Sequence, residues 1–324
     1  MSAPTVAAAE INRVETRPKS QRVPAAILVV LILVAPWVIY PVFLMKALCF
    51  ALFACAFNLL LGYAGLLSFG HALFFGAAGY FSAYAAKVWG WPPELAILGA
   101  ALGAAALGLV VGAVAIRRQG IYFAMITLAL AQMFYFFCLR APFTGGEDGI
   151  QAVPRGRLFG FLELGGHPIA MYYVVSAIFL LGFALLHRTI HSPFGQVLTA
   201  IRENEPRAIS LGYKTNHYKL IAFVISAGIA GLAGGTKALV FQLASLTDVH
   251  WGTSGEVILM TLIGGMGTVF GPIAGAVFMT ALENYLAQLG SWVTVTEGAI
   301  FVVCVIAFRR GMFGELSRLL KRPL

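Results

Sequence analysis

The chain has 324 residues, of which 60% are hydrophobic and only 11% are charged. Soluble domains typically carry about 25% charged residues, so this composition excludes an ordinary water-soluble domain and predicts a bilayer protein. The net charge of +9 does not favour nucleic-acid binding, because the basic residues lie in short loops between apolar runs. The four cysteines also lie inside apolar runs without a CxxC pair, so neither a disulfide framework nor a zinc site is expected.

A polar tail at residues 1–23 precedes a transmembrane region at 24–308 and a basic tail at 309–324. Uncharged runs near the length of a membrane span, about 20 residues, recur through the central region. The predicted fold class is therefore an all-α integral membrane protein with about ten transmembrane helices, some of them broken by glycines. Most Lys and Arg residues fall in the tails and in alternate loops, so both termini are predicted to be cytoplasmic. The predicted crossings are 24–45, 47–62, 70–87, 94–116, 119–139, 169–187, 218–242, 254–267, 270–289 and 291–308.

The stretch NLLLGYAGLLSFGHALFFGAAGY, residues 58–80, carries no charge but is interrupted by glycines. Glycine permits non-helical backbone, which survives in a membrane only where protein or a water-filled cavity satisfies it. One interpretation is a broken helix that lines a translocation path. The other is a tightly packed helix pair with small residues at the contact. The candidate path residues in this stretch are Asn58, Gly62, Gly65, Ser68, Gly70 and His71.

The segment TGGEDGI, residues 144–150, falls in a predicted outer loop. Its potential ligands fall well short of an EF-hand pattern, so a calcium site is rejected. The segment is either a tight turn or a docking or gate loop. The candidate docking residues are Thr144, Gly145, Gly146, Glu147, Asp148 and Gly149.

The longest predicted cytoplasmic loop spans about residues 188–219. Apolar residues recur at helical spacing from Phe194, Pro206 predicts a bend or restart of the helix, and Gly212 fits a helix end. A short amphipathic helix of this kind either lies on lipid headgroups or docks into a groove of a partner. The candidate residues for contact with such a partner are Phe194, Ile201, Arg202, Glu203, Glu205, Leu211 and Gly212.

A second glycine-rich interruption is predicted at IGGMGTVFGPIAG, residues 263–275. Gly267, Gly271 and Gly275 repeat every four residues, which makes a smooth helix face, and Pro272 breaks or kinks a helix. Paired interruptions in the two halves of a chain point to a midplane site in repeat-built transporters. Gly267 and Gly271 therefore join the candidate path.

Four charged residues lie in or near predicted spans: Lys237, Glu256, Glu283 and Glu297. Intramembrane charges are costly and are usually paired or face water. Lys237 and Glu256 fit snorkelling from helix ends, whereas Glu283 and Glu297 leave a proton relay open. The sequence has no GxxxxGK[ST] loop, no HExxH and no GxSxG, so no ATP hydrolysis by this chain and no cofactor are expected.

Six motifs occur in the order typical of one transporter family. They are GYAGLLSFGHALFFGAAGY, RRQGIYFAMITLALAQ, TGGEDGI, SPFGQVLTAIRENEPRAISLGY, KLIAFVISAGIAGLAGG and VILMTLIGGMGTVFGPIAGA. The region from about residue 47 to 308 resembles the LivM-like permeases of branched-chain amino acid ABC transporters. The resemblance implies a second, LivH-like permease chain, two cytoplasmic ATP-binding subunits and a periplasmic solute-binding protein as partners. It also implies that the loop ending at Gly212 docks on the ATPase, although the Glu-Ala-Ala start of such coupling loops is absent here.

The resemblance implies the permease subunit of an ATP-driven importer for branched-chain or other hydrophobic amino acids, working by alternating access. Three alternatives remain: a urea or short-amide importer permease, a proton-coupled transporter using His71, Glu283 or Glu297, and a passive channel for a small neutral solute. An intramembrane enzyme is disfavoured, because no nucleophile–base pair is recognisable. The sequence leaves open the exact substrate and whether the second permease is a different chain.

Overall fold

The computed structural model of the protein describes residues 22–158, 162–163, 168–287, 293–307 and 311–312. Within these residues the fold is almost entirely helical, and the two predicted tails lie almost wholly outside them. The α-helices are α1 (Arg22–Val34), α2 (Pro41–Asn58), α3 (His71–Lys87), α4 (Pro93–Ala115), α5 (Ile121–Arg140), α6 (Pro168–Ile190), α7 (Pro193–Glu203), α8 (Glu205–Ser210), α9 (Thr215–Phe241), α10 (Trp251–Gly264), α11 (Gly271–Leu286) and α12 (Val293–Ala307).

Two short antiparallel strand pairs lie in the connections between helices. Strand β1 (Ile150–Gln151) pairs with β4 (Leu243–Ala244). Strand β2 (Arg157–Leu158) pairs with β3 (Leu162–Glu163). The helical class predicted from composition is therefore confirmed for the long elements, and within the described part of the chain extended structure is confined to loops.

Among the residues that the structure describes, five helices are long and apolar enough to cross a membrane. The first of them joins α2 to a wider π-helical turn, so it extends beyond Asn58 to Ala64. The other predicted crossings coincide with shorter helices, namely α1, α3, α10, α11 and α12, so the total of ten crossings stays a prediction. The five long helices are Pro41–Ala64, Pro93–Ala115, Ile121–Arg140, Pro168–Ile190 and Thr215–Phe241.

The boundary predicted at Lys46, between the first two crossings, is wrong. Helix α2 runs through this position without interruption. The Nζ atom of Lys46 lies 2.8 Å from the Oε2 atom of Glu283, so its charge is compensated and does not end the helix. The interruption lies earlier, at residues 38–40. These residues follow a 3-10 turn at the end of α1 and precede Pro41, which starts α2.

Helix α9 lies at the centre of the bundle and packs against α2, α3 and α4. Small residues make this possible: a Cβ atom added at Gly235 would lie 3.0 Å from the Cβ of Ala100, and one at Gly234 would overlap the carbonyl oxygen of Phe75. Close approach through small residues drives helix association where lipid removes the hydrophobic effect. Helices α2 and α9 are consequently the most buried of the long spans, while α4 and α5 present large apolar side chains outward.

The connections alternate between two ends of the bundle. At one end, termed the junction end, α7 contacts the turn that follows α2. At the other, termed the hairpin end, the Nζ atom of Lys87 donates to the carbonyl of Gln151 at 2.7 Å, and β1 pairs with β4. Helix α3 has 17 residues and therefore spans about 25 Å between the two ends. The sides on which the basic loops and tails lie, and the end that faces the cytoplasm, stay predictions.

Candidate functional site

Both glycine-rich stretches form helix breaks, and both breaks lie at the junction end. The first separates α2 from α3 and contains Gly65, which is left-handed with φ 69°. The second separates α10 from α11 and contains Gly267, with φ 75°. Only glycine adopts such backbone without strain, so the sequence places the two breaks where they occur. The predicted interruptions are confirmed.

Asn58 connects the two breaks through its side-chain amide. Its Nδ2 atom donates to the carbonyl of Thr268 at 2.8 Å, and its Oδ1 atom accepts from the backbone N–H of Gly267 at 3.0 Å. The residue is only 2% exposed. A buried amide that is satisfied on both sides by backbone groups fixes the position of that backbone. Asn58 therefore holds the second break against the last turns of α2.

Arg202 on α7 contacts both breaks. Its guanidinium group donates to the carbonyl of Gly62. A Cβ atom added at Gly65 would lie 3.0 Å from the Cγ of Arg202, and one at Gly267 would lie 3.4 Å from its Nη1. We call Asn58, Gly62, Gly65, Arg202 and Gly267 the glycine junction. A displacement of α7 would act directly on both breaks through one side chain.

Glycine is also needed in the junction for close packing. A Cβ atom at Gly62 would lie 2.7 Å from the backbone nitrogen of Gly267, and one at Gly271 would lie 2.9 Å from the carbonyl oxygen of Gly265. At Gly275 it would lie 2.9 Å from the backbone nitrogen of α10's last residue. Gly271 and Gly275 thus lie on the face where α11 meets α10, whereas Gly267 lies in the break before α11 and is not part of the predicted helix face. Broken backbone and tight helix packing, posed as alternatives, occur together.

The remaining candidate path residues are buried within the bundle. The hydroxyl of Ser68 accepts from the N–H of Gly70 at 3.3 Å, and Gly70 lies against the backbone of Thr127 in α5. The Nε2 atom of His71 lies 2.8 Å from the hydroxyl of Ser226, and phenylalanine rings enclose the imidazole. His71 is fully buried, so its surroundings are those of a packing residue.

The predicted coupling segment forms the two short helices α7 and α8. Asn204 separates them, and its side chain caps α8 by accepting from the N–H of Arg207 at 3.1 Å. Ile201 is buried against the bundle, and Phe194 stacks on Tyr218 with ring centroids 5.7 Å apart. The amphipathic helix and its restart at the proline are confirmed.

The far end of this segment presents an apolar surface, which we call the docking face, formed by Ile209 and Leu211. Ile209 is 56% exposed and Leu211 is 71% exposed. Gly212 then ends the segment in a left-handed conformation, with φ 88°. Glu203, the last residue of α7, is exposed, and Glu205 forms an ion pair of 2.6 Å with Lys219 of α9. Two exposed apolar residues at the end of this segment fit either predicted contact, with lipid headgroups or with another protein.

The TGGEDGI segment forms a tight turn at the hairpin end, so it lies apart from the glycine junction. The hydroxyl of Thr144 donates to a carbonyl at the end of α5 at 2.7 Å. Gly145 and Gly149 are left-handed, with φ 79° and 67°, and a Cβ atom at Gly149 would lie 3.2 Å from backbone of β4. The turn exposes Glu147 and Asp148 to solvent. The tight-turn interpretation holds, and docking by this turn stays a prediction.

Residues 39–308 match the family described as branched-chain amino acid transport system / permease component. The chain belongs to this family. The membership confirms the resemblance drawn from the six motifs. It also confirms that the chain is a multi-pass permease component of a transport system and not an enzyme.

Three relatives show the range of permease proteins to which this chain is similar. The chain is 27% identical over 277 residues to the high-affinity branched-chain amino acid transport system permease protein LivM of Escherichia coli K12, covering 79% of this chain but 65% of LivM. It is 31% identical over 156 residues to the inner membrane ABC transporter permease protein YjfF of E. coli, covering 46% of each. It is 30% identical over 193 residues to the autoinducer 2 import system permease protein LsrC of Salmonella paratyphi B, covering 55% and 53%. The chain thus matches somewhat less than two thirds of the length of LivM. No solved structure matches it.

Two ion pairs account for intramembrane charges whose roles the sequence left open. Lys237 pairs with Asp248, and Glu283 pairs with Lys46 at 2.8 Å. Both ammonium groups lie near the ring of Phe50, at 5.7 and 5.8 Å from its centroid. Lys237 is therefore a paired, half-buried residue and not a snorkelling one. Sequence reasoning missed the partners Lys46 and Asp248, although each is an isolated charge beside an apolar run.

Other polar contacts give no local sequence signal. The hydroxyl of Thr127 accepts from the N–H of Phe69 at 3.2 Å, and that of Ser254 accepts from the N–H of Ala72 at 2.9 Å, which together hold the start of α3. Glu256 also has an interaction partner, and the side chain of Glu297 lies outside the described residues. Among the described residues no cluster of three or more metal-ligating side chains occurs.

Proposed function

We propose that this chain is a membrane-spanning subunit of an ATP-driven importer that moves branched-chain or other hydrophobic amino acids inward by alternating access. Two cytoplasmic ATP-binding subunits, a second LivH-like permease chain and a periplasmic solute-binding protein would complete the transporter in the inner membrane. The substrate class rests on the name of LivM alone. Another relative, LsrC, is named for a different solute, autoinducer 2.

The observation that carries the proposal is the contact of Arg202 with both helix breaks. Energy from ATP must enter this chain through contact, because a ligand shifts a conformational equilibrium only by its differential affinity for the two states. In this proposal the docking face receives the motion of the ATPase, and α7 passes it to Gly62 and Gly267. The breaks then move as a unit, because Asn58 joins them.

The glycine junction is accordingly proposed as the gate of the translocation path at the cytoplasmic end. Ser68, Gly70 and His71 support it from within the bundle. The turn at 144–149 would meet the solute-binding protein at the opposite, periplasmic end. The excess of basic residues in the tails and in the loop at 188–219 supports this orientation, with both termini cytoplasmic.

The test is the variant Arg202→Gln in the complete transporter, reconstituted in proteoliposomes with its ATPases, second permease and loaded binding protein. ATP hydrolysis should persist, because the nucleotide sites lie on other subunits, while leucine uptake should fall about tenfold or more, the range of a typical coupling energy. Arg207→Gln is the matched control, because the Arg207 side chain is exposed and makes no hydrogen bond among the described residues.

Two results would count against the proposal. Uptake at the wild-type rate in Arg202→Gln would remove this side chain from the coupling route. Failure of the wild-type complex to accumulate any branched-chain amino acid, despite hydrolysing ATP in response to its loaded binding protein, would refute the substrate class.

A further inference from the structure

A large apolar cavity lies between α3, α4, α5 and the turn that follows α5. Its volume is about 530 Å³, within the range of sites that hold a small molecule. Its walls are mostly aromatic and aliphatic, and they include Tyr84, Gly103, Leu107, Phe137 and Phe143. None of the residues of the glycine junction lines it, so the cavity is separate from the proposed transport route.

The position of the cavity places it within one leaflet of the bilayer. Its wall on α3 runs from Ala77 to Tyr84 and ends at Trp89, beyond the last turn of that helix. Trp89 and Trp91 are both exposed and pack together, with ring centroids 5.2 Å apart. Tryptophans are enriched at the level of lipid headgroups. The cavity therefore extends from the headgroup level at the hairpin end down into the hydrocarbon region.

Helix α4 keeps the cavity open with a glycine that no helix contact requires. A Cβ atom at Gly99 or Gly112 would lie 2.9 Å from a side chain of a neighbouring helix, so these glycines serve packing. A Cβ atom at Gly103 would meet nothing within 4 Å. A glycine inside a helix costs about 1 kcal/mol relative to alanine, and here it adds free volume instead of a helix contact.

Two cations stand at the rim of the cavity. Lys87 lies one helical turn beyond the lining residue Tyr84, and Arg140 lies one turn beyond the lining residue Phe137. Both are exposed, and neither forms an ion pair with a carboxylate among the described residues. The cavity is continuous with the outward-facing surface of α4 and α5. Its apolar interior suits the acyl chain of a phospholipid, and its cationic rim suits the phosphate.

We propose that this cavity holds one acyl chain of a phospholipid from the surrounding leaflet, with the lipid phosphate against Lys87 and Arg140. The acyl chain fills space that helix packing leaves empty between α3, α4 and α5. The bound lipid would thereby support α5 at a place where few protein contacts do. This binding does not depend on the transported substrate.

The experiment uses the full chain in phosphatidylcholine nanodiscs that contain a trace of phosphatidylglycerol with a diazirine on its acyl chain. After illumination, labelled peptides are mapped by mass spectrometry, and labels are expected on residues 103–107 and 134–138. Gly103→Phe should fill the cavity and lower this labelling several-fold. Leu102→Phe is the matched control, because Leu102 is 72% exposed on the outward face of the same helix and its labelling should not change.

The phosphate contact is tested separately, with a diacylglycerol probe that carries the same diazirine chain. In wild type the phospholipid probe should label the cavity more strongly, by about fivefold for each cation near the phosphate. The double variant Lys87→Gln/Arg140→Gln should reduce its labelling to that of diacylglycerol. Equal labelling by the two probes in wild type would overturn the phosphate contact.

Two results would overturn the cavity as a lipid site. One is labelling of 103–107 and 134–138 that Gly103→Phe leaves unchanged, since the probe would then lie only on the outer surface. The other is labelling that disappears when the second permease chain is present, since a protein helix would then occupy the cavity. Gly103→Leu, a smaller filling, serves as a second variant if Gly103→Phe does not elute as a single species.

Discussion

Replacing Asn58 with alanine tests whether one side chain holds the two helix breaks together. The variant removes the hydrogen bond to the Thr268 carbonyl and the one from the Gly267 N–H, of 2.8 and 3.0 Å. Both backbone groups lie in half-buried chain between α10 and α11. Alanine offers neither a donor nor an acceptor to replace the amide, so both groups depend on whatever water reaches them.

The expected loss of unfolding free energy follows from these two bonds. A hydrogen bond contributes about 0.5–1.5 kcal/mol net, and a buried polar group left unpaired costs about 1–3 kcal/mol. With two bonds lost and partial access of water to the freed groups, Asn58→Ala should lower the unfolding free energy by about 2–4 kcal/mol. Asn58→Asp should lower the unfolding free energy by at least as much, because it keeps the acceptor but sets an oxygen against the Thr268 carbonyl.

The assay is unfolding of the purified chain in mixed micelles by titration with sodium dodecyl sulfate, followed by circular dichroism. Asn216→Ala is the matched control, because Asn216 is exposed near the start of α9. A change in Asn58→Ala no larger than that in the control would refute the view that this amide fastens the breaks. Wild-type stability in Asn58→Asp would refute the assignment of the Asn58 Nδ2 atom as the donor to the Thr268 carbonyl.

Two further predictions use the same assay. Gly234→Ala should lower the unfolding free energy by about 1–3 kcal/mol, because the added methyl group overlaps the carbonyl of Phe75. Gly255→Ala, where a Cβ atom meets nothing within 4 Å, should not lower it, and equal losses would contradict the packing argument. Lys46→Met should cost about 1–2 kcal/mol by leaving Glu283 unpaired, less than for a fully buried pair because the side chains are 34% and 19% exposed. The swap Lys46→Glu/Glu283→Lys should recover most of that loss, and a swap no more stable than Lys46→Met would count against the pair.

The long helices were predictable because lipid imposes a simple rule on sequence. Apolar runs of span length must form helices, since every backbone group needs an internal partner. The rule failed at Lys46, where an isolated charge suggested a boundary although its partner lies in α11. A single intramembrane charge ends a helix only if it is unpaired, and pairing between distant helices leaves no local pattern.

The candidate site was predictable in its parts but not in its assembly. Left-handed glycines are a local property, so both breaks and the end of the coupling segment could be located from the sequence. The contacts that join them span 140 residues between Arg202 and Gly62, and 210 between Asn58 and Thr268. No periodicity or motif encodes such pairings. Asn58 was consequently predicted as a path residue, whereas its amide is used to hold backbone.

The most direct measurement of the central claim is a reversible cross-link between α7 and the first helix break. A Cβ atom at position 65 would lie 3.5 Å from the Cβ of Arg202, within the range that a disulfide accepts. The double variant Gly65→Cys/Arg202→Cys is made in a chain whose four native cysteines are replaced by alanine, with Gly65→Cys/Arg207→Cys as control. Leucine uptake and ATP hydrolysis of the complete transporter are then measured before oxidation, after it and after reduction.

The predicted result is that the reduced 65–202 variant keeps only about a tenth of wild-type uptake, because the Arg202 side chain is lost. Oxidation forms the cross-link only in this pair and stops the remaining uptake, and reduction restores it. Absence of the cross-link, or uptake at the unoxidised rate by the cross-linked chain, would contradict the claim that α7 moves the helix breaks.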